Sequence, residues 1–396
     1  MTHDASESPD MPHPILRAAE AATGIQLAHS GELGLLDRPR RMLLVSRGER
    51  NPQPDTPWLI NVIDAARRAA EAGEVLVSAL GRIPYEASVW TAARQGGAAV
   101  LVLEASLNAA DPRLSILPDP DRRLLIWPAS PLNARDAPQR RDALIAALCD
   151  RAYAIRIRNG GNMARIAASL AARGVPVEKY GNEVKEQRPN VRRAQASPET
   201  LHDVQIPADW DYLTHFTREP DGPFPGETRS DYLSWLCSGP AAERRDAFAA
   251  LRRILKQRRV AGCGRLISGG APMVCLTALH PMLAKSLRCW RKGLLRWSFT
   301  PYGLAIRRGA AQKLGAKPVR YVSQSGLRAA NPDEQCYMQR DCAGEHDWSA
   351  ESEWRIAAAL DFAAVDANDL LVCVATPTEE AEITRTFQLR GLVLGA

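Results

Sequence analysis

Residues 153–177, YAIRIRNGGNMARIAASLAARGVPV, decide the fold. Tyr153, Ile155 and Ile157 alternate with Ala154, Arg156 and Arg158, the period of a strand, although the arginines make it a poor central one. Asn159, Gly160, Gly161 and Asn162 break the run. Residues 163–173 are alanine-rich and carry an apolar stripe at Met163, Ile166, Ala167 and Leu170, so they read as a helix. Gly174 suits its C-cap, and Val175, Pro176 and Val177 resume an extended segment. A glycine pair between strand and helix lets backbone approach a ligand, and the helix N-terminus that follows favours an anion. A plain strand-to-helix turn needs glycine too, so both readings stand.

Towards the N-terminus, short apolar runs alternate with helical ones. Residues 42–45, 75–77, 99–103 and 124–127 read as buried strands, and 58–72, 85–94 and 139–148 as helices. That alternation predicts a parallel sheet covered on both faces. Ligands in such sheets bind at the carboxyl ends of the strands. The polar and small residues there are Ser46 and Arg47, Ser78 and Gly81, and Asn159, Gly160, Gly161 and Asn162, which become the expected ligand-binding set. The Arg47 guanidinium offers a fork for phosphate oxygens, with a plain surface arginine as the other reading. No GxGxxG is present, which argues against the dinucleotide-binding form of the fold.

At 396 residues the chain accommodates two domains. The expected division is a leader with one short helix (1–38), a Rossmann-like nucleotide- or DNA-binding domain (39–180), a linker (181–208) and a second domain (209–396). No run is long and apolar enough to span a membrane. The opening MTHDASESPDMPHP is polar and acidic, unlike a signal peptide, so a cytoplasmic location is expected. The eight cysteines form no CxxC pair and read as free thiols. Cys336, Cys342 and His346 lack a fourth ligand, so no metal is expected. The net charge of +6 permits an anionic partner without requiring one.

The order of the strand tips resembles the DprA/SLOG superfamily of Rossmann-like domains. Its members carry a Gly-Ser-Arg tip, a Ser-Gly-rich tip and a late Gly-Gly or Gly-Ser turn. Here these stand as Val45-Ser46-Arg47 without the leading glycine, Ser78-Ala79-Leu80-Gly81 with alanine where glycine is usual, and Asn159-Gly160-Gly161-Asn162. The resemblance spans residues 40–180. It implies a phosphate-rich ligand: single-stranded DNA, or a nucleotide or signal molecule.

Residues 180–207 are polar and charged without periodicity and read as a linker, with Arg188, Arg192 and Arg193 solvated or touching nucleic acid. Beyond them, short strands separated by loops and small helices predict an α+β domain with a mixed or antiparallel sheet. Residues 244–259 read as a basic amphipathic helix with Phe248, Leu251, Ile254 and Leu255 on one face. His215, Tyr302 and Glu353 fall on separate expected strands. Such a set can clamp a nicotinamide ribose and stabilise an oxocarbenium-like centre. The plainer readings are a strand histidine, a core tyrosine, and a glutamate paired with Arg307, Arg308 or Arg355.

The ordered set 215–217, 272–277, 301–305, 317–319 and 347–355 is similar to bacterial abortive-infection proteins of the AbiGi type, which are distantly similar to ADP-ribosyltransferases. The resemblance implies NAD as substrate, His215, Tyr302 and Glu353 as catalytic residues, and ADP-ribose transfer or NAD hydrolysis. Two functions therefore compete. One is an antiphage defence protein, a homo-oligomer whose nucleotide- or nucleic-acid-sensing domain controls an NAD-consuming effector. The other is a non-enzymatic nucleic-acid-binding protein using Arg47, Arg156 and Arg158, joined by Arg252, Arg253, Arg258 and Arg259. A nuclease would need a metal-binding carboxylate cluster, and none has convincing spacing.

Overall fold

The computed structural model describes residues 13–46, 51–108, 110–181, 210–286, 290–291, 296–297, 299–341 and 348–395. They divide into two compact units, one of residues up to 181 with 226–243, the other of the remainder.

In chain order the first unit contains α1 (Pro14–Thr23), β1 (Leu27–Gly31), β2 (Arg40–Val45), α2 (Pro57–Glu71), β3 (Val75–Ala79), α3 (Ile83–Arg94), β4 (Ala98–Val102), β5 (Arg123–Pro128), α4 (Ala137–Leu148), β6 (Arg151–Arg156), α5 (Asn162–Ala172), β7 (Val177–Lys179) and α6 (Arg229–Leu236). Its sheet has the order β1-β5-β4-β3-β2-β6-β7. Neighbours from β5 to β7 run parallel, and β1 alone is antiparallel, against β5. β3 and β4 are buried at every residue, which is why VLVSA and AAVLV are nearly all apolar. Met42, Leu44, Val77 and Val100 meet α1, α4 and α5 on one face. Leu43, Val45, Leu76 and Leu101 meet α2, α3 and α6 on the other. This is the expected Rossmann-like α/β architecture.

Two segments differ from the sequence reading. The stretch read as a leader contributes β1, which closes the sheet edge beside β5. Its sequence, LAHSG, lacks the apolar run of a buried strand because an edge strand needs none. The segment 226–243, read as part of the second domain, supplies α6 to the first unit, where Tyr232, Leu233 and Leu236 are fully buried. The start of the expected linker is also packed. The Tyr180 ring lies 4.5 Å from that of Tyr153, and its hydroxyl donates to Asp64 at 2.7 Å. Arg188, Arg192 and Arg193 lie outside the described residues.

The second unit continues with β8 (Tyr212–Phe216), α7 (Ala247–Gln257), β9 (Arg259–Ala261), β10 (Met273–Thr277), α8 (Pro281–Ser286), β11 (Trp290–Arg291), β12 (Arg296–Trp297), β13 (Gly303–Arg307), α9 (Arg308–Lys313), β14 (Lys317–Pro318), β15 (Arg320–Val322), α10 (Gln324–Ala329), α11 (Pro332–Gln335), β16 (Met338–Arg340), β17 (Glu353–Ala357), β18 (Ala359–Asp361), β19 (Leu370–Val374), α12 (Pro377–Phe387) and β20 (Arg390–Val393). Its main sheet, ordered β14-β17-β10-β8-β13-β19-β20, is antiparallel except where β20 runs parallel to β19. Leu213, Leu276, Leu304, Ile356 and Val372 form one core with Leu251 and Leu255 of α7 and Ile383 of α12. The result is an α+β unit with a mixed sheet. Within this unit the Thr217 hydroxyl donates to the Ala247 carbonyl at 3.1 Å, and the Thr217 amide to the Tyr302 carbonyl at 2.9 Å.

Candidate functional site

In the first unit, the strands from β2 to β5 step towards one edge of the sheet, and β6 returns to the other side of β2. The strand order thus reverses between β2 and β6, where an open α/β sheet leaves a crevice at its carboxyl end. Ser46 ties the two tips together. Its amide donates to the Arg156 carbonyl at 2.7 Å, and its hydroxyl accepts from the Arg158 amide at 2.9 Å. Beside this joint lies a cavity of about 530 Å³ lined in part by Ser46, Gly81, Arg82, Arg158, Gly161 and Asn162.

Four helices begin at this cavity. Its wall includes Trp58 of α2, Ile83 to Tyr85 of α3, Pro138 and Gln139 of α4, and Asn162 and Met163 of α5, all in first turns. None of the four N-caps, Thr56, Arg82, Asp136 and Gly161, makes a side-chain capping bond. Each helix end carries roughly half a positive charge on unsatisfied amides, so the four together favour an anion. Arg82 is exposed and its side chain makes no hydrogen bond or ion pair among the described residues. The acids beneath are already occupied. Asp142, 4% exposed, accepts from the Tyr85 hydroxyl at 2.9 Å and Asn162 Nδ2 at 3.0 Å, and pairs with Arg141. Burial, and then Asp142, push the Tyr85 hydroxyl well above its ordinary value, which keeps it a donor. Glu86, 3% exposed, accepts from the Gly81 amide at 2.8 Å and from Arg229 Nε of α6 at 2.6 Å.

The expected ligand-binding residues do not all reach this cavity. Ser46, Gly81, Gly161 and Asn162 line the cavity. Gly81 adopts a φ of +84° there, a conformation that disfavours a side chain. Ser78 does not line it. The residue is 4% exposed and its hydroxyl turns to the Tyr85 carbonyl and the Ser88 hydroxyl, each at 3.4 Å, because it lies within β3 rather than past its end. Asn159 and Gly160 form the exposed turn before α5, outside the lining, with Gly160 at φ +70°. Arg47 lies outside the described residues. Arg82, Gln139 and Asp142 were missed by the sequence reading. The signal for Arg82 was Pro84, which suits a first helical turn and moves the start of α3 up to Ile83.

The second unit brings only part of its expected set together. His215 and Glu353 line a cavity of about 90 Å³, well below the ~300–1,000 Å³ of small-molecule sites. His215 Nδ1 lies 2.9 Å from the Cys275 carbonyl oxygen, and burial holds the imidazole down at about 4. Glu353 is held by Arg355 through two bonds, Nε to Oε1 at 2.9 Å and Nη2 to Oε2 at 3.0 Å. Arg355, 2% exposed, also donates to the Cys336 and Met338 carbonyls and to Gln339. This is the ion-pair reading of Glu353. Tyr302 stands apart from that cavity. Its hydroxyl donates to Glu379 at 2.9 Å and its ring lies 5.6 Å from that of Phe248, as expected of a core tyrosine. In the basic helix, Arg252 pairs with Glu382, and Arg253 donates to the Pro225 carbonyl. Cys342, His346 and Asp347 lie outside the described residues. Among those described, no group of three metal-ligating side chains occurs.

No family model matches the sequence, and no curated protein matches it. Among solved structures, the chain is similar to DNA processing protein A from Streptococcus pneumoniae, with 18% identity and a TM-score of 0.33 over 40% of this chain and 56% of that one. It is similar to DNA processing protein A from Helicobacter pylori, with 17% identity and a TM-score of 0.32 over 39% of this chain and 70% of that one. The molybdenum cofactor carrier protein from Chlamydomonas reinhardtii gives 17% and 0.26 over 36% and 76%. The chain spans little more than half the length of the pneumococcal protein, 56%.

Proposed function

We propose that the first unit binds the phosphate backbone of a single-stranded nucleic acid in the cleft between β2 and β6. One observation carries this reading: four helix amino ends without side-chain caps open onto a single cavity, beside Arg82 and Arg158. The buried acids nearby are already engaged, so the cleft favours negative charge. The cavity is recessed between helix ends. A flexible single strand can dip a phosphate into it, whereas the phosphates of a duplex lie on a stiff cylinder. Single-stranded DNA is also the ligand named for the Helicobacter pylori structure.

The test is titration of a fluorescent single-stranded oligonucleotide at several salt concentrations. Binding should weaken linearly with the logarithm of salt, with a slope of about −0.7 per phosphate engaged. Absence of binding, or binding indifferent to salt, overturns the reading. NAD-consuming chemistry in the second unit, and with it a role as an antiphage effector, has less support. His215 and Glu353 share one small cavity, Tyr302 is elsewhere, and the Glu353 carboxylate is engaged by Arg355.

A further inference from the structure

The cleft has a second lobe of different chemistry. Past Gly81 and Arg82, which line both lobes, lies a cavity of about 370 Å³ at the ends of β3 and β4. Leu80, Val102 and Leu103 line it and are 6%, 1% and 4% exposed. The polar side chains beside them are the guanidinium groups of Arg82, Arg113 and Arg141, the Ser106 hydroxyl and one carboxylate, Glu104. Arg141 is the buried one. Its side chain is 6% exposed, and its Nε and Nη2 donate to Asp142 Oδ1 at 3.3 and 3.1 Å. Its Nη1 faces Glu104 Oε1 at 3.6 Å, and the Glu104 side chain is 66% exposed. An apolar floor edged by a donor and an acceptor is the anatomy of a pocket for a flat heteroaromatic ring, not for a phosphate.

We propose that the second lobe receives the base attached to the phosphate held in the first lobe, and that it selects guanine. This rests on the cleft reading above. A carboxylate accepts from two neighbouring N–H groups, and a guanidinium beside it donates to a carbonyl oxygen. Guanine presents two such donors, N1–H and N2–H, next to O6. Adenine, cytosine and thymine each put a ring acceptor or a lone donor where the second contact should fall, which leaves a Glu104 oxygen unpaired. Glu104 reads the two donors and Arg141 the oxygen, while Arg82 holds the junction between the lobes.

The experiment compares single-stranded ten-residue oligothymidylate with the same strand carrying one central guanine, adenine or cytosine, using the full chain. The guanine strand should bind about ten-fold tighter or better, and in Glu104→Gln that ratio should fall towards unity. Glu104 is exposed, so the variant keeps the fold; circular dichroism checks this. Equal affinity for all four strands, or a guanine preference that survives Glu104→Gln, overturns the base subsite and leaves the cleft reading standing. Binding of none of the strands overturns both.

Discussion

The two ends of the first unit's sheet use arginine in opposite ways. At the amino end, Arg41 donates to Glu74, with Nη2 to Oε1 at 2.7 Å, and its guanidinium lies 3.7 Å over the Tyr153 ring. Arg151 bonds to the same Glu74 at 3.1 Å and to Asp150 at 2.9 Å, and Arg40 pairs with Asp150. Arg40 Nε also donates to the Leu148 carbonyl at the end of α4, and Arg38 to the Gly73 carbonyl just past α2. At the carboxyl end, Arg82 makes no ion pair among the described residues and faces a cavity. The difference follows from chain direction. Every crossover helix after a parallel strand runs back along the sheet, so helix carboxyl ends collect at one rim and amino ends at the other. The first rim attracts fixed cations as structural cement. The second is already positive: Arg141 and Arg229 are held there by buried acids, and Arg82 is left for a ligand.

The largest test of this contrast is Glu74→Ala. It leaves the buried Arg41, 4% exposed, without its main carboxylate and should cost about 3–5 kcal/mol in urea denaturation. Oligonucleotide affinity of the folded protein should hardly move. A loss of affinity without a loss of stability would break the contrast. The same pair sets an acid limit. Burial pushes the Glu74 carboxyl upward, but the bonds to Arg41 and Arg151 outweigh it and hold it below its ordinary 4.5. Its contribution is therefore complete above pH 4.5 and is lost as pH falls through the lowered folded value. Glu74→Gln should flatten that part of a stability–pH curve.

Arg158→Ala should do the reverse of Glu74→Ala. Removing one charged phosphate contact costs about 1.5–3 kcal/mol of binding, roughly ten-fold to a hundred-fold, and lowers the salt slope by about 0.7. Its melting temperature should fall far less than that of Glu74→Ala. The smallest and sharpest test is Gln139→Glu, which adds an acid to the first turn of α4 at the cavity. The carboxylate suits the helix end, so stability should rise by about 0.3–1 kcal/mol. It also repels phosphate, so affinity should fall several-fold. Parallel thermal melts and titrations read both signs, and changes in the same direction would count against a phosphate site.

Much of this rim was legible in the sequence, because β2, β3, β4 and the 159–162 turn announce themselves by local pattern. Ser46, Gly81, Gly161 and Asn162, picked out by that pattern, line one cavity. The convergence of four helix ends was not legible, since it depends on strand order, and no local period encodes which strands are neighbours. Ser78 was misplaced for a related reason. A small polar residue at the end of an apolar run reads the same one residue inside the strand as one residue past it. In the second unit, His215 and Glu353 do fall close together, but the arginine that engages Glu353 lies only two positions along β17, as one of several candidate partners. Pattern did not choose among them, and the β-strand register did. The origin of α6 was hidden for a simpler reason: RSDYLSWL is a short stretch with almost no one-sided apolar face, and its partner lies some 140 residues upstream, at Glu86.

The placement of α6 also sets a clock. Translation finishes β7 at Lys179, yet the first unit's core still lacks Tyr232, Leu233 and Leu236. The ribosome must add nearly 60 further residues before that helix emerges, a wait of roughly 3–12 s at ordinary elongation rates. During that interval the nascent sheet has an uncovered apolar patch beside α3, and Glu86 lacks Arg229. The β8 strand of the second unit is synthesised before the first unit can close. The two halves are therefore not successive products of one assembly line, since the earlier one is completed only by a part made later.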